Sequence, residues 1–238
     1  MLLKGKTALV TGGAVRIGRA ICEALAAEGV HVVVHYRASR KEALALARKI
    51  GGIAVRSNLE SEEACTDLIN NVVSESGRLD VLVNNAAVFH KDSLRAVTAP
   101  KLGLDFWPNL FVPVLLTRAF AAKTRKGAVV NLLDRRITGL DTECLPYVLS
   151  KKALAEFTRI AALDLAPGIR VNGVAPGAVL PPPGKGMRYL RDKAGPVPLR
   201  IRVAPADVAE AVVFLVKHEA VTGQLVFVDG GQHLLGQL

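Results

Sequence analysis

The chain has 238 residues, and 31 lysine and arginine residues against 21 aspartate and glutamate residues give it a formal charge of +10. Hydrophobic residues make up 50% of the chain, which is typical of a folded protein with a sizeable core and excludes a basic disordered tail. Three cysteines without a CxxC pair exclude a disulfide framework and a cysteine zinc site, and they favour a reducing cytoplasm. No apolar run reaches about 18 residues, so we expect no membrane span. The positive charge is compatible with three kinds of partner: nucleic acid, a membrane surface or an anionic small molecule.

Short apolar runs rich in β-branched residues alternate with amphipathic stretches along the chain. This alternation predicts an α/β fold: a single Rossmann-type doubly wound domain over residues 1–238, with a seven-stranded parallel sheet flanked by helices. Because right-handed crossovers bring the carboxyl ends of all strands to one edge, we expect ligands to bind there. The predicted strands centre on residues 8–10, 31–35, 53–55, 81–83, 128–131, 170–174 and 225–228. The predicted helices are 17–28, 40–50, 61–76, 105–123, 147–165 and 205–218.

One predicted connection is much longer than the others. Residues 176–205 are rich in proline, contain Gly184, Gly186 and Gly195, and show weak periodicity. These features predict an excursion of the chain near a functional site, which we call the substrate loop.

The first predicted strand runs directly into a glycine-rich turn, residues 11–18, that opens the first helix. Glycines in such a turn permit positive φ and let backbone N–H groups approach a pyrophosphate at the positive end of the helix. We therefore predict that Gly12, Arg16, Ile17 and Gly18 bind the phosphates of a dinucleotide. The Arg16 guanidinium is expected to bind phosphate oxygens or an electron-rich substrate, and the alternative is a tolerated surface residue.

The tip of the second predicted strand is basic. Arg37, Ser39 and Arg40 stand there, and no acid precedes Glu42. An acid at this tip would bind the ribose 2′-hydroxyl of NAD(H), whereas basic residues accommodate the 2′-phosphate of NADP(H). The tip therefore predicts NADPH as the cofactor.

Tyr147 and Lys151 stand four residues apart in a predicted helix, so their side chains share one face. A phenol with a pKa near 10 is a poor proton donor or acceptor at neutral pH, but a nearby ammonium group and an oxidised nicotinamide both favour its ionised form. The spacing predicts that Lys151, together with the nicotinamide, lowers the pKa of Tyr147, which then acts as the proton donor in catalysis.

The order and spacing of these motifs resemble the short-chain dehydrogenase/reductase family. Residues 11–18 match its TGxxxGxG motif with Arg16 at the middle glycine, residues 84–87 (Asn-Asn-Ala-Ala) resemble its NNAG motif, and Tyr147 and Lys151 form its YxxxK motif. The similarity extends from residue 7 to the Val-Asp-Gly-Gly ending at residues 228–231. It implies a homo-oligomer, a tetramer or dimer, formed through the long helices before and after the fifth strand, and a water chain supported by Asn109. The further cofactor contacts that we expect are Tyr36, Asn58 in place of the family's acid near the adenine, Leu59, Asn85, Ala86, Ala87, Tyr147, Lys151, Pro176 and Gly177.

The chain departs from the family where the substrate-binding serine usually stands before the tyrosine, because this position is Asp134. An ionised aspartate only accepts hydrogen bonds, so it suits a substrate with ring N–H and amino groups better than an ordinary ketone. Together with Arg16 and Phe89, it resembles the pteridine reductase branch. The resemblance implies that Arg16 contacts phosphate and pterin, that Phe89 stacks on the pterin, and that Asp134 and Tyr147 organise proton delivery.

The sequence therefore predicts an NADPH-dependent reductase that transfers a hydride to the C=N bond of a pterin, dihydropterin or dihydrofolate. The alternatives are a short-chain carbonyl reductase acting on a 3-oxoacyl group or a ketone, and a non-catalytic dinucleotide sensor. Asp134 could instead cap a helix or pair with Arg135 or Arg136, and Phe89 could be a core residue. We expect no nucleic-acid partner, since no helix-turn-helix or RNP-like strand is present, and no metal, since His31 and His35 lack further ligands nearby.

The positive charge is concentrated in two segments. Residues 37–49 hold five lysine and arginine residues against one glutamate, and residues 184–202 hold six, Arg188 and Arg191 among them, against one aspartate. The first cluster lies where a 2′-phosphate is expected, and the second lies in the substrate loop. The charge thus predicts a polyanionic cofactor and a substrate with an acidic tail such as the glutamate of a folate.

Overall fold

Seven short strands pair in parallel to form one sheet in a computed structural model, which describes residues 2–182 and 184–235 without the side chains of Arg191 and Lys193. The strands are β1 (Thr7–Val10), β2 (His31–Tyr36), β3 (Ile53–Arg56), β4 (Val81–Asn84), β5 (Gly127–Leu132), β6 (Ile169–Pro176) and β7 (Leu225–Val228). Their order in the sheet is β3-β2-β1-β4-β5-β6-β7, and every pair is parallel. The predicted α/β fold class and all seven strands are confirmed.

Helices cover both faces of the sheet. They are α1 (Arg16–Ala27), α2 (Arg40–Ile50), α3 (Glu62–Ser76), α4 (Ala99–Phe106), α5 (Val112–Lys123), α6 (Leu145–Asp164), α7 (Met187–Lys193) and α8 (Pro205–Lys217). Side chains alternate along each strand, so in β1 Ala8 and Val10 join the core under α1, α2 and α8, whereas Leu9 joins the core under α3, α5 and α6. The strands are buried on both faces, which explains their nearly continuous apolar runs.

The strand order reverses beside β1, whose neighbours are β2 and β4. In a doubly wound sheet such a switch point opens a crevice at the carboxyl ends of the strands. The turns after β1, β2 and β4, which carry most of the predicted cofactor residues, therefore meet at one edge.

The predicted helix 105–123 is wrong in its start and in its continuity. Helix α4 begins at Ala99, a π-helical segment follows at Trp107–Phe111, and α5 continues to Lys123. Pro108 and Pro113 have no N–H group to donate within a regular α-helix, which accounts for the widened turn between them. The π-helical segment places Asn109 in the interior.

The sequence pattern predicts no helix within the substrate loop, but its central part contains one. Met187–Lys193 form the short helix α7. Pro176 ends β6 and Pro205 begins α8, so the excursion proper lies between these residues. Pro183 lies outside the described residues.

No helix in the described ranges, 2–182 and 184–235, combines the length and apolar character needed to cross a membrane.

Candidate active site

Thr11 ties the glycine-rich turn to the end of β4. Its hydroxyl oxygen accepts hydrogen bonds from the backbone N–H groups of Asn85 (2.9 Å) and Ala86 (3.0 Å). The Asn85 amide donates to the carbonyls of Thr11 (2.8 Å) and Gly12 (3.1 Å). The predicted residues Gly12, Asn85 and Ala86 are thus brought together at the switch point.

Two glycines of the turn are required by close packing. Gly12 has a φ of +60°, and a Cβ there would lie 3.2 Å from the Ala86 Cα. A Cβ on Gly18 would overlap the Gly12 carbonyl oxygen and lie 2.6 Å from the Asn85 Nδ2. Any larger residue at these positions would push the first turn of α1 away from β4.

His35 also supports the turn, a contact that the sequence reasoning missed. The Gly12 N–H donates to its Nδ1 across 3.2 Å, and Nε2 lies 3.2 Å from the Ser57 carbonyl. Burial lowers the His35 pKa to about 4, so the ring is neutral at physiological pH and Nε2 carries the proton that binds Ser57. The sequence shows His35 one residue before the end of an apolar strand, a position that predicts a buried ring. From the sequence we considered this histidine only as a metal ligand.

Arg16 adopts the left-handed region that favours glycine, with a φ of 57°. Its guanidinium crosses the carboxyl edge of the sheet and donates to the backbone carbonyls of Pro181 (2.9 Å) and Leu180 (3.5 Å). Arg16 therefore joins the glycine-rich turn to the start of the substrate loop. The N-cap residue of α1, Val15, makes no side-chain hydrogen bond. The first-turn N–H groups of Arg16, Ile17 and Gly18 therefore have no side-chain acceptor from the cap, and such a donor set suits phosphate oxygens.

The basic tip of β2 lies further along the same edge. Tyr36 is buried at the end of the strand, Arg37 and Arg40 are exposed, and Ser39 is the half-buried N-cap residue of α2. After β3, Asn58 is exposed, and the carbonyl of Leu59 accepts a hydrogen bond from the Trp107 indole across 2.7 Å. The predicted adenosine contacts therefore occupy the β2–β3 side of the edge, separated from β5 by β1 and β4.

The Tyr147 hydroxyl donates a 2.9 Å hydrogen bond to the Asp134 carboxylate. The Phe89 ring packs edge-on against the Tyr147 ring, with 4.8 Å between the centroids and an angle of 76° between the planes. Phe89 remains 45% exposed, so it is an accessible aromatic ring rather than a core residue. The structure thus brings Asp134, Tyr147 and Phe89 together. It also confirms the alternative expected for Asp134, which caps the short turn Arg135–Ile137 and pairs with Arg136.

The protein groups around Tyr147 shift its pKa in the direction opposite to the one predicted for Lys151 and a bound nicotinamide together. Burial, the charge of Asp134 and the hydrogen bond to it raise the pKa of Tyr147 well above its usual value. Tyr147 is therefore a neutral phenol with its proton directed at Asp134.

Lys151 lies beneath this pair. Its ammonium donates to the carbonyl of Leu132, the last residue of β5, across 2.7 Å. Burial lowers the Lys151 pKa to about 8, although the Asp134 charge counteracts part of the effect. The cation is thus fixed by the backbone and is close to its titration point at neutral pH.

Asn109 holds the strand-like segment before Phe89. Its side-chain oxygen accepts from the Val88 N–H (2.9 Å), and its amide nitrogen donates to the Val88 carbonyl (3.0 Å) and the Ser150 hydroxyl (3.3 Å). Both ends of the amide are therefore used inside the protein. The side chain positions the segment that leads to Phe89, and the support of a water chain by Asn109 stays a prediction.

A family model described as enoyl-(acyl carrier protein) reductase matches residues 13–233 of the chain. The chain belongs to the short-chain dehydrogenase/reductase family. This oxidoreductase family is the one that the sequence motifs resemble, and that prediction is confirmed.

Relatives of this short-chain dehydrogenase/reductase include two pterin-related enzymes. The crystal structure of FolM alternative dihydrofolate reductase 1 from Brucella canis, complexed with NADP, matches with a TM-score of 0.92 and 34% identity over 98% of this chain and 96% of that chain. Pteridine reductase 1 of Leishmania tarentolae is 34% identical over 95% of this chain and 96% of its own length. A putative ketoacyl reductase of the granaticin polyketide synthase, from Streptomyces violaceoruber, is 35% identical over 96% of each chain.

The C-terminal turn of this short-chain dehydrogenase/reductase anchors the substrate loop. Gly177 follows β6, and its N–H donates to the Val228 carbonyl across 3.0 Å. The Gln232 amide donates to the carbonyls of Ala194 (2.8 Å) and Pro196 (3.2 Å) at the far end of the loop. Pro176 and Gly177, two predicted cofactor contacts, thus lie at the β6 part of the same edge.

The charged part of the substrate loop lies on the surface. Lys185 and Arg188 are exposed, and the Arg188 guanidinium is 3.8 Å from the Asp192 carboxylate. The predicted contribution of Arg191 lies outside the described side chains. No group of three or more possible metal ligands occurs within residues 2–182 and 184–235.

Proposed function

We propose that the protein is an NADPH-dependent reductase that transfers a hydride to the C=N bond of a pterin, dihydropterin or dihydrofolate. The observation that carries this proposal is the hydrogen bond from Tyr147 to Asp134 beside the exposed ring of Phe89. A carboxylate accepts hydrogen bonds from ring N–H and amino groups, and an exposed aromatic ring provides a surface on which a flat heterocycle stacks. The two relatives named as dihydrofolate and pteridine reductases support the same substrate class.

NADPH is the proposed cofactor. The first-turn N–H groups of α1 and the Arg16 guanidinium suit the pyrophosphate, and the exposed Arg37 and Arg40 with Ser39 suit a 2′-phosphate. The remaining contacts that we propose are Gly12, Tyr36, Asn58, Leu59, Asn85, Ala86, Ala87, Tyr147, Lys151, Pro176 and Gly177. The NADP complex of the Brucella canis relative supports this choice.

The proposed chemistry divides the reduction between two groups. NADPH, when bound, supplies the hydride that adds to the carbon of the C=N bond. Tyr147 gives its hydroxyl proton to the nitrogen, and a solvent proton then restores the phenol, so that C=N becomes CH–NH. Asp134 orients the substrate through its amino and ring N–H groups, Arg16 and Phe89 contact it, and Lys151 provides positive charge below the site. Asn109 fixes the backbone that carries Phe89.

We also propose that the protein self-associates through α5 and α6, as the family resemblance implies. Ile160 and Leu163 on α6 are 66% and 83% exposed, and Phe111 immediately before α5 is 44% exposed. Large apolar side chains in these positions favour burial between copies of the chain.

The free thiols of the three cysteines are buried and agree with the reducing compartment expected from the sequence.

A carbonyl reductase remains the second candidate, because the granaticin ketoacyl reductase is as similar in sequence as the pterin enzymes. Asp134 argues against it, since a carboxylate beside a ketone oxygen gives no hydrogen bond to that oxygen.

The experiment is a panel of assays that follow NADPH and NADH oxidation with dihydrofolate, dihydrobiopterin, dihydromonapterin and a set of ketones. The proposal predicts turnover of at least one pterin, a preference for NADPH, and loss of turnover in Tyr147→Phe. Activity confined to ketones, or equal use of NADH, would overturn the proposed substrate or cofactor.

A further inference from the structure

Arg136 makes direct contact with the carboxylate of the candidate site. It stands in the short 3-10 turn Arg135–Ile137 that follows Asp134. Its backbone N–H donates to Asp134 Oδ1 across 2.9 Å, and its Nη1 lies 3.3 Å from Asp134 Oδ2. The same Oδ2 accepts the Tyr147 hydroxyl, so one carboxylate oxygen is shared between the phenol and the guanidinium.

The other side of the guanidinium is anchored outside the site. Arg136 Nε donates to Asp141 Oδ2 across 3.0 Å, and Asp141 Oδ1 accepts the Glu143 N–H across 3.0 Å. The guanidinium carbon also lies 5.6 Å from the centroid of the Phe89 ring. Arg136 therefore links Asp134, Phe89 and the loop that leads to α6, with only 30% of its side chain exposed.

Proton donation by Tyr147 creates a charge problem that this contact resolves. Loss of the hydroxyl proton leaves a phenolate next to the Asp134 carboxylate, and two like charges in a buried site repel strongly. The Lys151 ammonium, which lies beneath the pair, already donates its hydrogen bond to the Leu132 carbonyl. Among the effects on Tyr147, burial and Asp134 raise its pKa, whereas the Arg136 charge lowers it.

The charge of Arg136 is permanent. Burial alone would lower its pKa, but the charges of Asp134, Tyr147 and Asp141 outweigh burial and raise the pKa above its usual value. The Arg136 guanidinium binds the two carboxylates through two different nitrogens, Nε to Asp141 and Nη1 to Asp134, in a fixed planar geometry that an ammonium group lacks.

We propose that Arg136 is the positioning residue for proton delivery: it fixes the Asp134 carboxylate against the Tyr147 hydroxyl and supplies the positive charge that offsets the phenolate formed when Tyr147 gives up its proton. The proposal deepens the proposed function and rests on the role of Tyr147 as the proton donor in the reduction. It holds for whichever C=N or C=O substrate the protein reduces, because the charge develops on Tyr147 in either reaction.

The test compares Arg136→Met and Arg136→Lys with Arg135→Met as the matched control. Arg135 is the adjacent arginine, and its side chain takes part in no hydrogen bond or ion pair within the described residues. We expect Arg136→Met to lower kcat about tenfold or more, with the Kd for NADPH and the melting temperature unchanged. Arg136→Lys keeps the charge but not the fork, so it should recover part of the lost kcat.

Asp141→Asn adds a second measurement, because it frees the outer side of the guanidinium without touching Asp134. It should lower kcat less than Arg136→Met, and the double variant should be no slower than Arg136→Met alone, since both changes act on one contact.

Equal kcat values for Arg136→Met and Arg135→Met would overturn the proposal. So would a joint loss of kcat, NADPH binding and melting temperature in both Arg136→Met and Arg136→Lys, because that pattern indicates a structural role only. The wild type decides the proposed function separately: if it reduces a ketone and no pterin, the pterin assignment fails, and the Arg136 comparison is made with that ketone.

Discussion

The Tyr147 hydroxyl and the Asp134 carboxylate are joined by a 2.9 Å hydrogen bond in which the phenol is the donor. At an effective dielectric constant of about 20, two negative charges at this distance would repel by about 6 kcal/mol. The pair therefore stays as a neutral phenol and a carboxylate until the proton has a destination on the substrate.

The first prediction concerns Asp134→Ser, which installs the residue that the family usually has. We expect kcat/KM for the dihydropterin to fall about 100-fold, because the carboxylate that accepts the substrate's N–H groups is lost. The ratio of ketone to dihydropterin activity should rise. Asp134→Asn controls for size, and it too should lose pterin activity. Retention of full pterin turnover by both variants would contradict the assigned role of Asp134.

Lys151 predicts the alkaline side of the pH profile. Its pKa is lowered to about 8 by burial, so its positive charge is lost as the pH rises through that value. We expect kcat/KM for NADPH to decline above about pH 8 in the wild type. In Lys151→Arg the charge persists, so the decline should move to higher pH even if the maximum rate is lower. An unchanged profile in Lys151→Arg would show that another group titrates.

Arg16→Gly should separate stability from function. The wild-type residue has a φ of 57°, a conformation that costs a non-glycine residue about 1 kcal/mol. Glycine relieves this cost, but its own flexibility in the unfolded state reduces the gain. We expect no loss in the free energy of unfolding, measured in urea, together with weaker NADPH binding.

Arg200→Gly is the matched control for that comparison. Arg200 also has a positive φ, 53°, but lies in the exposed turn before α8. Arg200→Gly should show a stability change at least as favourable as that of Arg16→Gly, which also loses the hydrogen bonds to Leu180 and Pro181, and it should not weaken NADPH binding. Equal NADPH affinities for the wild type and Arg16→Gly would contradict the proposed phosphate contact.

His35 predicts a dependence of stability on pH. Its pKa is about 4 in the folded protein and about 6.5 in the unfolded chain, so the unfolded chain binds more protons between these values. The contribution of neutral His35 is complete above about pH 6.5 and is lost as the pH falls towards about 4, a change of up to about 3 kcal/mol. Urea unfolding at several pH values measures how the free energy of unfolding changes with pH. Between about pH 4 and pH 6.5 this free energy should rise less steeply in His35→Gln than in the wild type. Identical slopes would exclude His35 as the source.

Much of the fold was predictable because it depends on local pattern. Strands buried on both faces give continuous apolar runs. The glycine-rich turn is recognisable in the sequence because it directly follows the first of these runs. The π-helical segment at Trp107–Phe111 was not predictable, since the two prolines alone do not say how the chain accommodates them. Helix α7 is too short to give a clear periodicity.

The candidate site was predictable in its members but not in its electrostatics. The spacing of Tyr147 and Lys151 places both on one face of α6, yet the pKa of Tyr147 depends on its burial and on the carboxylate brought from β5. His35 and Arg136 act through partners distant in sequence or through a turn geometry that the sequence alone does not specify. These contacts become visible only when the strand ends are brought to one edge.

The most direct test of the central claim is the fate of deuterium from NADPH labelled on the transferable position of its nicotinamide ring. The protein is incubated with labelled NADPH and a dihydropterin, and the tetrahydropterin is analysed by mass spectrometry. We predict that the product carries the deuterium on carbon and that Tyr147→Phe forms almost none. Oxidation of NADPH without a labelled tetrahydropterin, or an equal yield from Tyr147→Phe, would contradict the account.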